Sequence, residues 1–381
     1  MQGRLCHILI AFLLLAGSAC RDPFEPNVAI QDLSYLVVEG FIETNGEETT
    51  IRLSRTTPIG TTNDVRAEIG ANLRLLGESG EVWPLYEGTP GEYSLTATLD
   101  NRKLYQLEIS LRDGSRYLTK SLKPIVSPPI DEVGFNRDEF GVEIFVSTQG
   151  TEDAAYFLWQ YEEDWIFWPG VISFLKFENG AVSTRGDDER IDRCWMSTVY
   201  PKITLQNASR FENNTILQRE LVRIPNQSEK LTQRYRIKIK QWALDQESYD
   251  FWEILRKNSD DIGGIFSPLP SFLPSNIVPQ EGTDLKVIGH ISMGQSASKR
   301  IYINNSEVSP WKAFIPEYEY CIIFLDTIPP AIAHLAFNNI DRVPAREVWE
   351  GMSLLGYHAS TKVCTDCTLR GSGKAPDFWE H

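Results

Sequence analysis

Apolar and polar positions alternate one by one along much of the chain. YLVVEGFI (35–42), TTIRLS (49–54), ANLRLL (71–76), GEYSL (91–95), YQLEISL (105–111) and YLTKSL (117–122) follow one another. Ile51 and Leu53 alternate with Arg52 and Ser54, and Leu107, Ile109 and Leu111 with Glu108 and Ser110. A period of two marks a strand with one buried face. Asn45-Gly46, Glu78-Ser79-Gly80 and Asp113-Gly114 separate these segments as turns. The pattern predicts an immunoglobulin- or transthyretin-like β-sandwich over residues 35–124. KPIVSPPID (123–131) carries three prolines. Proline cannot donate to a ladder, so the domain boundary falls there.

A larger β-rich domain is predicted for 125–381. Its strands are read at GVEIFVS (141–147), AAYFLWQYEEDW (154–165), RYRIKIKQW (234–242), DLKVIGHISM (284–293) and KRIYIN (299–304). In 234–242, Tyr235, Ile237 and Ile239 point one way and Arg236, Lys238 and Lys240 the other, which predicts a solvated basic face, with a binding groove as the alternative. One helix stands out: Asp245 as N-cap, Leu244 as staple, and Tyr249, Trp252 and Leu255 at helical spacing. The loop 265–278 is apolar. If exposed, Phe266 and Phe272 mark a partner surface; the expectation here is packing on the helix, with Trp252 touching one of them. A further short helix is predicted at AREVWEGMSLLGY (345–357). The fold class is therefore mainly β, with one or two short helices.

The first residues break the alternation. Arg4 precedes an apolar run from Ile8 to Ala16, shorter than the ~20 residues that span a bilayer. Small Gly17, Ser18 and Ala19 follow, then Cys20 and a proline-bearing polar stretch. This order predicts a signal peptide over 1–19, lipidation of Cys20 and a tether over 20–34. Gly17 stands where the commonest form of this motif has leucine. Acyl chains at ~0.8 kcal/mol per buried methylene then hold the protein on a membrane. The formal charge of −15 argues against nucleic acid as a partner and against adsorption to anionic lipid through the protein surface.

Cys6 leaves with the leader and Cys20 takes lipid. Cys194, Cys321, Cys364 and Cys367 remain, an even number suited to disulfides in an oxidising compartment. Cys364 and Cys367 are close neighbours, so each is expected to reach a different distant cysteine and staple the C-terminal tail to the body. Their C-x-x-C spacing lacks the second close pair a zinc site wants. Gly371-Ser372-Gly373-Lys374 has Thr368 and Ala375 where a phosphate loop needs glycine and Ser/Thr. His290, His334, His358 and His381 stand in no HExxH motif, and there is no GxSxG elbow. No catalytic residue, metal or cofactor is predicted. One stretch suits a ligand: Tyr161, Glu162, Glu163, Asp164, Trp165 and Trp168 place acids beside aromatic rings. Rings stack on sugar faces, and carboxylates accept hydroxyl protons.

Several stretches together resemble one family: RDPFEP after Cys20, LVVEGFIETN, IRLSRTTP, SYDFWEILRKN followed by GGIFSPLPSFLPSNI, the GHIS and SKRIYI pair, and the ending CTDCTLRGSGKAPDFW. They are similar to Bacteroidota outer-membrane lipoproteins grouped as domain of unknown function 4249. The resemblance implies an exported lipoprotein, often encoded beside a TonB-dependent outer-membrane transporter, with no established activity to carry over. The resulting expectation is a non-enzymatic, lipid-anchored outer-membrane protein that captures or gates a ligand for such a β-barrel. A structural or adhesive surface lipoprotein is the alternative, and a glycan-acting enzyme a third reading. Growth on one nutrient separates the first from the second. Substitution of Glu162, Glu163 and Asp164 by their amides addresses the third.

Overall fold

The computed structural model describes residues 34–57, 66–199, 203–260, 273–283, 286–338 and 341–380. The leader, Cys20, most of the tether, and Phe266 and Phe272 lie outside the described residues.

The first unit is built from β1 (Leu36–Glu43), β2 (Asn45–Arg55), β3 (Arg66–Ala67), β4 (Asn72–Gly77), β5 (Val82–Glu87), β6 (Glu92–Thr98), β7 (Tyr105–Ser110) and β8 (Arg116–Thr119). β5 pairs with β4 through Leu73↔Leu85 and with β6 through Tyr86↔Ser94, so one ladder bends into two facing layers. Alternation supplies the core between them. Leu36, Val38, Ile51, Leu53, Leu73, Leu75, Leu107 and Ile109 meet inside, while Arg52 and Arg74 stay exposed. Each such buried side chain contributes roughly 1.5–3 kcal/mol. The result is the immunoglobulin-like sandwich that the strand spacing predicts.

After β9 (Ile125–Val126) the second unit runs through β10 (Ile130–Arg137), β11 (Gly141–Gln149), β12 (Tyr156–Phe167), β13 (Leu175–Glu178), β14 (Ala181–Thr184), β15 (Cys194–Val199), β16 (Thr204–Asn207), β17 (Thr215–Pro225) and β18 (Arg234–Leu244). The helix Gln246–Asp260 follows, with the Asp245 carboxylate accepting from the Ser248 amide at 2.7 Å as its N-cap. Then come β19 (Ile277–Pro279), β20 (Val287–Gly289), β21 (Ser292–Gln295), β22 (Ala297–Asn304), β23 (Phe324–Ile328), β24 (Arg342–Glu350) and β25 (Ser353–Thr361). Sheet β10-β11-β17 packs against sheet β15-β12-β18-β22, with β16 also on β12. Val142, Ile144, Phe157, Trp159, Ile237 and Ile239 fill the space between. Strands β23-β25-β24 form a small outer sheet.

Two features join the units. The chain returns to the first sandwich long after leaving it: β19 pairs with β8, and β20 and β21 lie parallel to β1. Ile277, Val287, Ile291 and Met293 thereby enter the first core. Gly289 is essential to the fit, because at φ 139° a Cβ there would run into the Val38 backbone. The proline-rich linker is also bonded to the second unit. Ser127 Oγ accepts from the Ala243 amide at 2.6 Å, and the Pro128 carbonyl accepts from Gln241 Nε2 at 2.9 Å.

Two expectations are corrected. Residues 345–357 form the β24–β25 hairpin rather than a helix, turning at Gly351 with φ 59°. The apolar spacing of Val348, Met352 and Leu355 imitates a helix, but the glycine between them lets the chain reverse. The basic face of β18 is only partly solvated. Arg236 is buried and Lys238 and Lys240 are half-buried, because β18 is an inner strand whose second face is partly covered by the first unit and by the C-terminal tail.

The tail is held by Cys194–Cys367 and Cys321–Cys364, so each of the two close cysteines does reach a distant partner. Beyond Cys367 the chain bridges Trp195 through Ser372, and Trp379 is buried against Ile166 and Trp195. Replacing Cys194 and Cys367 by alanine should cost about 2–5 kcal/mol in urea unfolding, since the bond spans 173 residues. It should also expose the segment after Lys374 to proteolysis. Non-reducing peptide mapping that finds four free thiols in the wild type would remove the staple altogether.

Candidate functional site

The aromatic and acidic stretch of β12 does not form one surface. Alternation sends Tyr161, Glu163 and Trp165 into the second core, where Glu163 is 1% exposed. Its carboxylate accepts from the Tyr235 hydroxyl and from Lys230 Nζ, each at 2.7 Å, and Lys230 lies 5.0 Å from the Trp165 ring centroid. Burial, and then the neighbouring Glu163 charge, push the Tyr235 phenol well above its ordinary value. Asp164 points the opposite way and pairs with Arg236, with Ser197 Oγ donating to it at 2.5 Å. Above that pair lies the tail, with Phe378 4.1 Å from the Arg236 guanidinium. Only Glu162 and Trp168 face solvent. The six residues are divided among a core, a covered ion pair and open surface, and a ligand has no common wall to meet.

The combination of rings and free polar groups occurs elsewhere, in a cleft of ≈ 350 Å³ between the units. One wall is the outer face of β1 and β2, with Glu39, Phe41, Glu48, Thr50 and Arg52; the other is Leu158 and Gln160 of β12, Lys240 and Trp242 of β18, and Trp252 of the helix. These segments lie far apart in sequence, and no local motif announces them. The signal available beforehand was only the polar face of TTIRLS and the second face of RYRIKIKQW.

Glu43 pins the closed end of this cleft. Although 3% exposed, it is surrounded by donors: Lys240 Nζ at 2.8 Å, Trp242 Nε1 at 3.1 Å, and Ser296 through its amide at 3.2 Å and its hydroxyl at 3.0 Å. Lys240 also reaches Glu47 at 2.9 Å. Burial works against the Lys240 charge, but its bonds to Glu43 and Glu47 outweigh this and raise its pKa above the ordinary lysine value. Toward the mouth the pattern reverses. The side chains of Glu39, Glu48 and Gln160 and the Trp252 indole N–H have no hydrogen-bond partner among the described residues.

A second cluster joins Ser248, His290 and Ser292. Ser248 Oγ is 2.8 Å from His290 Nε2, and Ser292 Oγ donates to Ser248 Oγ at 3.0 Å. His290 stacks on Phe251 with centroids 5.3 Å apart, and its Nδ1 has no partner among the described residues. A hydroxyl beside an imidazole is the start of a nucleophile–base pair. Among the described residues no carboxylate bonds the ring, and the adjoining cavity of ≈ 70 Å³ is fit for a water molecule or two rather than a substrate. Burial lowers the His290 pKa; Asp245 and Glu247 act in the opposite direction, and Lys120 adds to the lowering. Among the described residues no group of three or more His, Cys, Asp or Glu is placed to hold a metal ion.

The family described as Domain of unknown function (DUF4249) matches residues 21–300, which include both walls of the cleft. No curated protein matches the chain. Among solved structures, a DUF4785 family protein from Legionella pneumophila is similar at 14% identity, covering 54% of this chain and 52% of its own, with a TM-score of 0.20. The chain thus spans about half the length of that protein. A segment of two fibronectin type III domains from chicken tenascin is similar at 12% identity, covering 55% of this chain and 91% of the segment, with a TM-score of 0.15.

Two measurements check this geometry. Asp164→Leu should cost about 3–5 kcal/mol in urea unfolding by leaving Arg236 buried without its partner, and adding Arg236→Met should recover much of the loss. Additive losses would show that the pair is not a unit. For His290, the folded form binds its proton less readily than the unfolded chain. Stability is therefore full above the ordinary histidine value of 6.5 and falls as pH drops below it. Unfolding followed between about pH 5 and 8 should show this acid limb in the wild type and flatten it in His290→Gln. Parallel curves would remove His290 as its source.

Proposed function

The chain belongs to the DUF4249 family, described only as a domain of unknown function, and from that premise we propose a non-enzymatic, lipid-anchored outer-membrane protein. It captures a ligand in the cleft between its two units and serves as accessory to a TonB-dependent transporter. The observation that carries the reading is the contrast inside the cleft. Glu43 and Lys240 satisfy each other at its closed end, with the exposed Glu47 also reaching Lys240, while Glu39, Glu48, Gln160 and Trp252 at the mouth are left to whatever enters. The volume falls in the ordinary range for small-molecule sites. Rings and hydrogen-bonding groups hold a ligand without reacting with it.

Anchoring is supported by the order Arg4, Ile8–Ala16, Gly17-Ser18-Ala19, Cys20. The residues between Cys20 and Leu36 allow a reach of at most about 50 Å from the lipid. That length permits the cleft to turn toward a barrel in the same membrane. Cys20→Ala should move the protein from the membrane to the soluble fraction. Gentle detergent extraction of the wild type should bring a β-barrel with it, and Trp252→Ala should impair growth on the transported nutrient while leaving anchoring intact. A wild-type preparation free of any barrel, together with normal growth of the Trp252 variant on every nutrient tested, would end this reading and favour a structural or adhesive role.

A further inference from the structure

The charges and rings of the cleft also discriminate among ligand classes. A cation is most strongly held where a carboxylate and an aromatic face meet, and in this cleft that seat is already filled. Lys240 Nζ stands 2.8 Å from Glu43, 2.9 Å from Glu47 and 5.3 Å from the Trp242 ring centroid. An incoming ammonium group would face this fixed positive charge at the closed end and could pair only with Glu39 and Glu48, which stand exposed to water at the mouth, where an ion pair is worth little. Anions fare no better. The other positive group on the walls, Arg52, is engaged by Glu92 at 2.6 Å, and the groups without partners at the mouth include two carboxylates, Glu39 and Glu48. A purely apolar ligand would strip water from those carboxylates and from Gln160 and return no hydrogen bond, at a cost of a few kcal/mol for each group so buried.

What remains is a neutral molecule that offers many hydroxyl donors on one side and a flat C–H face on the other. The mouth supplies the complement. Carboxylates are acceptors only, and both oxygens of each can accept hydrogen bonds from hydroxyls; the Gln160 amide both donates and accepts; the indole N–H donates. The half-buried rings of Phe41 and Trp252 supply surface, and the buried Trp242 backs Phe41 at 5.7 Å with the ring planes tilted by 53°. We propose, resting on the capture role stated above, that the cleft binds a neutral carbohydrate, a sugar or short oligosaccharide, with a pyranose face on Trp252 and its hydroxyls on Glu39, Glu48 and Gln160. The chemistry anticipated for residues 161–168 is thereby carried by other residues.

Titration of the detergent-solubilised full chain tests the assignment, with binding read by tryptophan fluorescence and calorimetry. The probes are a panel of neutral oligosaccharides of differing linkage, the polyamine spermidine, and citrate. The expected result is saturable binding of at least one neutral glycan and none of the two charged probes. Trp252→Ala should weaken it at least about tenfold and Trp252→Tyr should restore most of it, as loss and return of a stacking face require. Glu39→Gln and Glu48→Gln should each weaken it several-fold with the thermal midpoint unchanged. Binding of spermidine or citrate with every glycan blank overturns the ligand class, as does glycan binding that Trp252→Ala leaves intact. If no probe binds but Trp252→Ala still abolishes growth on one nutrient, the ligand class is wrong and the capture role stands. If growth is also normal, both fail.

Discussion

A carboxylate removed from water costs several kcal/mol unless donors surround it, and Glu43 meets that demand with groups from two distant segments. Lys240 and Trp242 come from one strand of the second unit, and Ser296 from the turn between two others. Its own amide donates to Thr49 Oγ1 at 2.9 Å, which fixes the end of the first hairpin. These bonds can all be made at once in a single orientation of the two units. The short parallel strands beside Leu36–Glu43 hold the same edge. Contact on one side and divergence on the other leave a cleft, so its existence follows from the way one buried charge is satisfied.

Much of the architecture could be read from the chain, and the limits of that reading have physical causes. Long strands with one wet face announce themselves, as Ile51 and Leu53 or Leu107 and Ile109 do. Strands of three or four residues, such as Ile277–Pro279 and Val287–Gly289, carry too few positions to show a period, and their return to the first core is invisible in the sequence. Arg236 and Lys240 misled for a different reason. A basic residue in alternation predicts solvent, but Asp164 and Glu43, well over fifty residues away, make burial tolerable there. Residues 345–357 failed because helical and hairpin spacing coincide over so short a stretch, and Gly351 decides between them.

The site residues follow the same division. Tyr161 to Trp168 is a conspicuous cluster in sequence because neighbours along a strand are neighbours on paper. In space, adjacent strand residues face opposite ways, so such a cluster is split by the pleat. Residues that share a surface come from alternate positions on several strands, as Glu39, Phe41, Gln160 and Trp242 do. The Phe378 and Trp379 ending shows the related effect for the tail. Its aromatic side chains lie over Arg236 and against Ile166 and Trp195, covering a charge that an uncovered sheet would present to solvent.

Within one molecule, the treatment of polar groups separates what holds the fold from what awaits a partner. Glu163, Asp164 and Glu43 are deeply buried and each has at least two donors, so their bonding is complete without any ligand. Ser248 and His290 are bonded to each other beside a cavity too small for a substrate, while the buried His290 Nδ1 has no partner among the described residues. At the mouth of the cleft the reverse holds. Glu39, Glu48 and Gln160 project from strands whose backbones are fixed by their ladders, and their exposed side chains are not paired to protein. With the backbone held before a ligand arrives, binding has only these side chains to order. Rigid walls with unpaired polar ends are thus the arrangement that recognition requires, whereas the paired charges around Glu43 are the arrangement that stability requires. The two lie in one cleft, and the second positions the first.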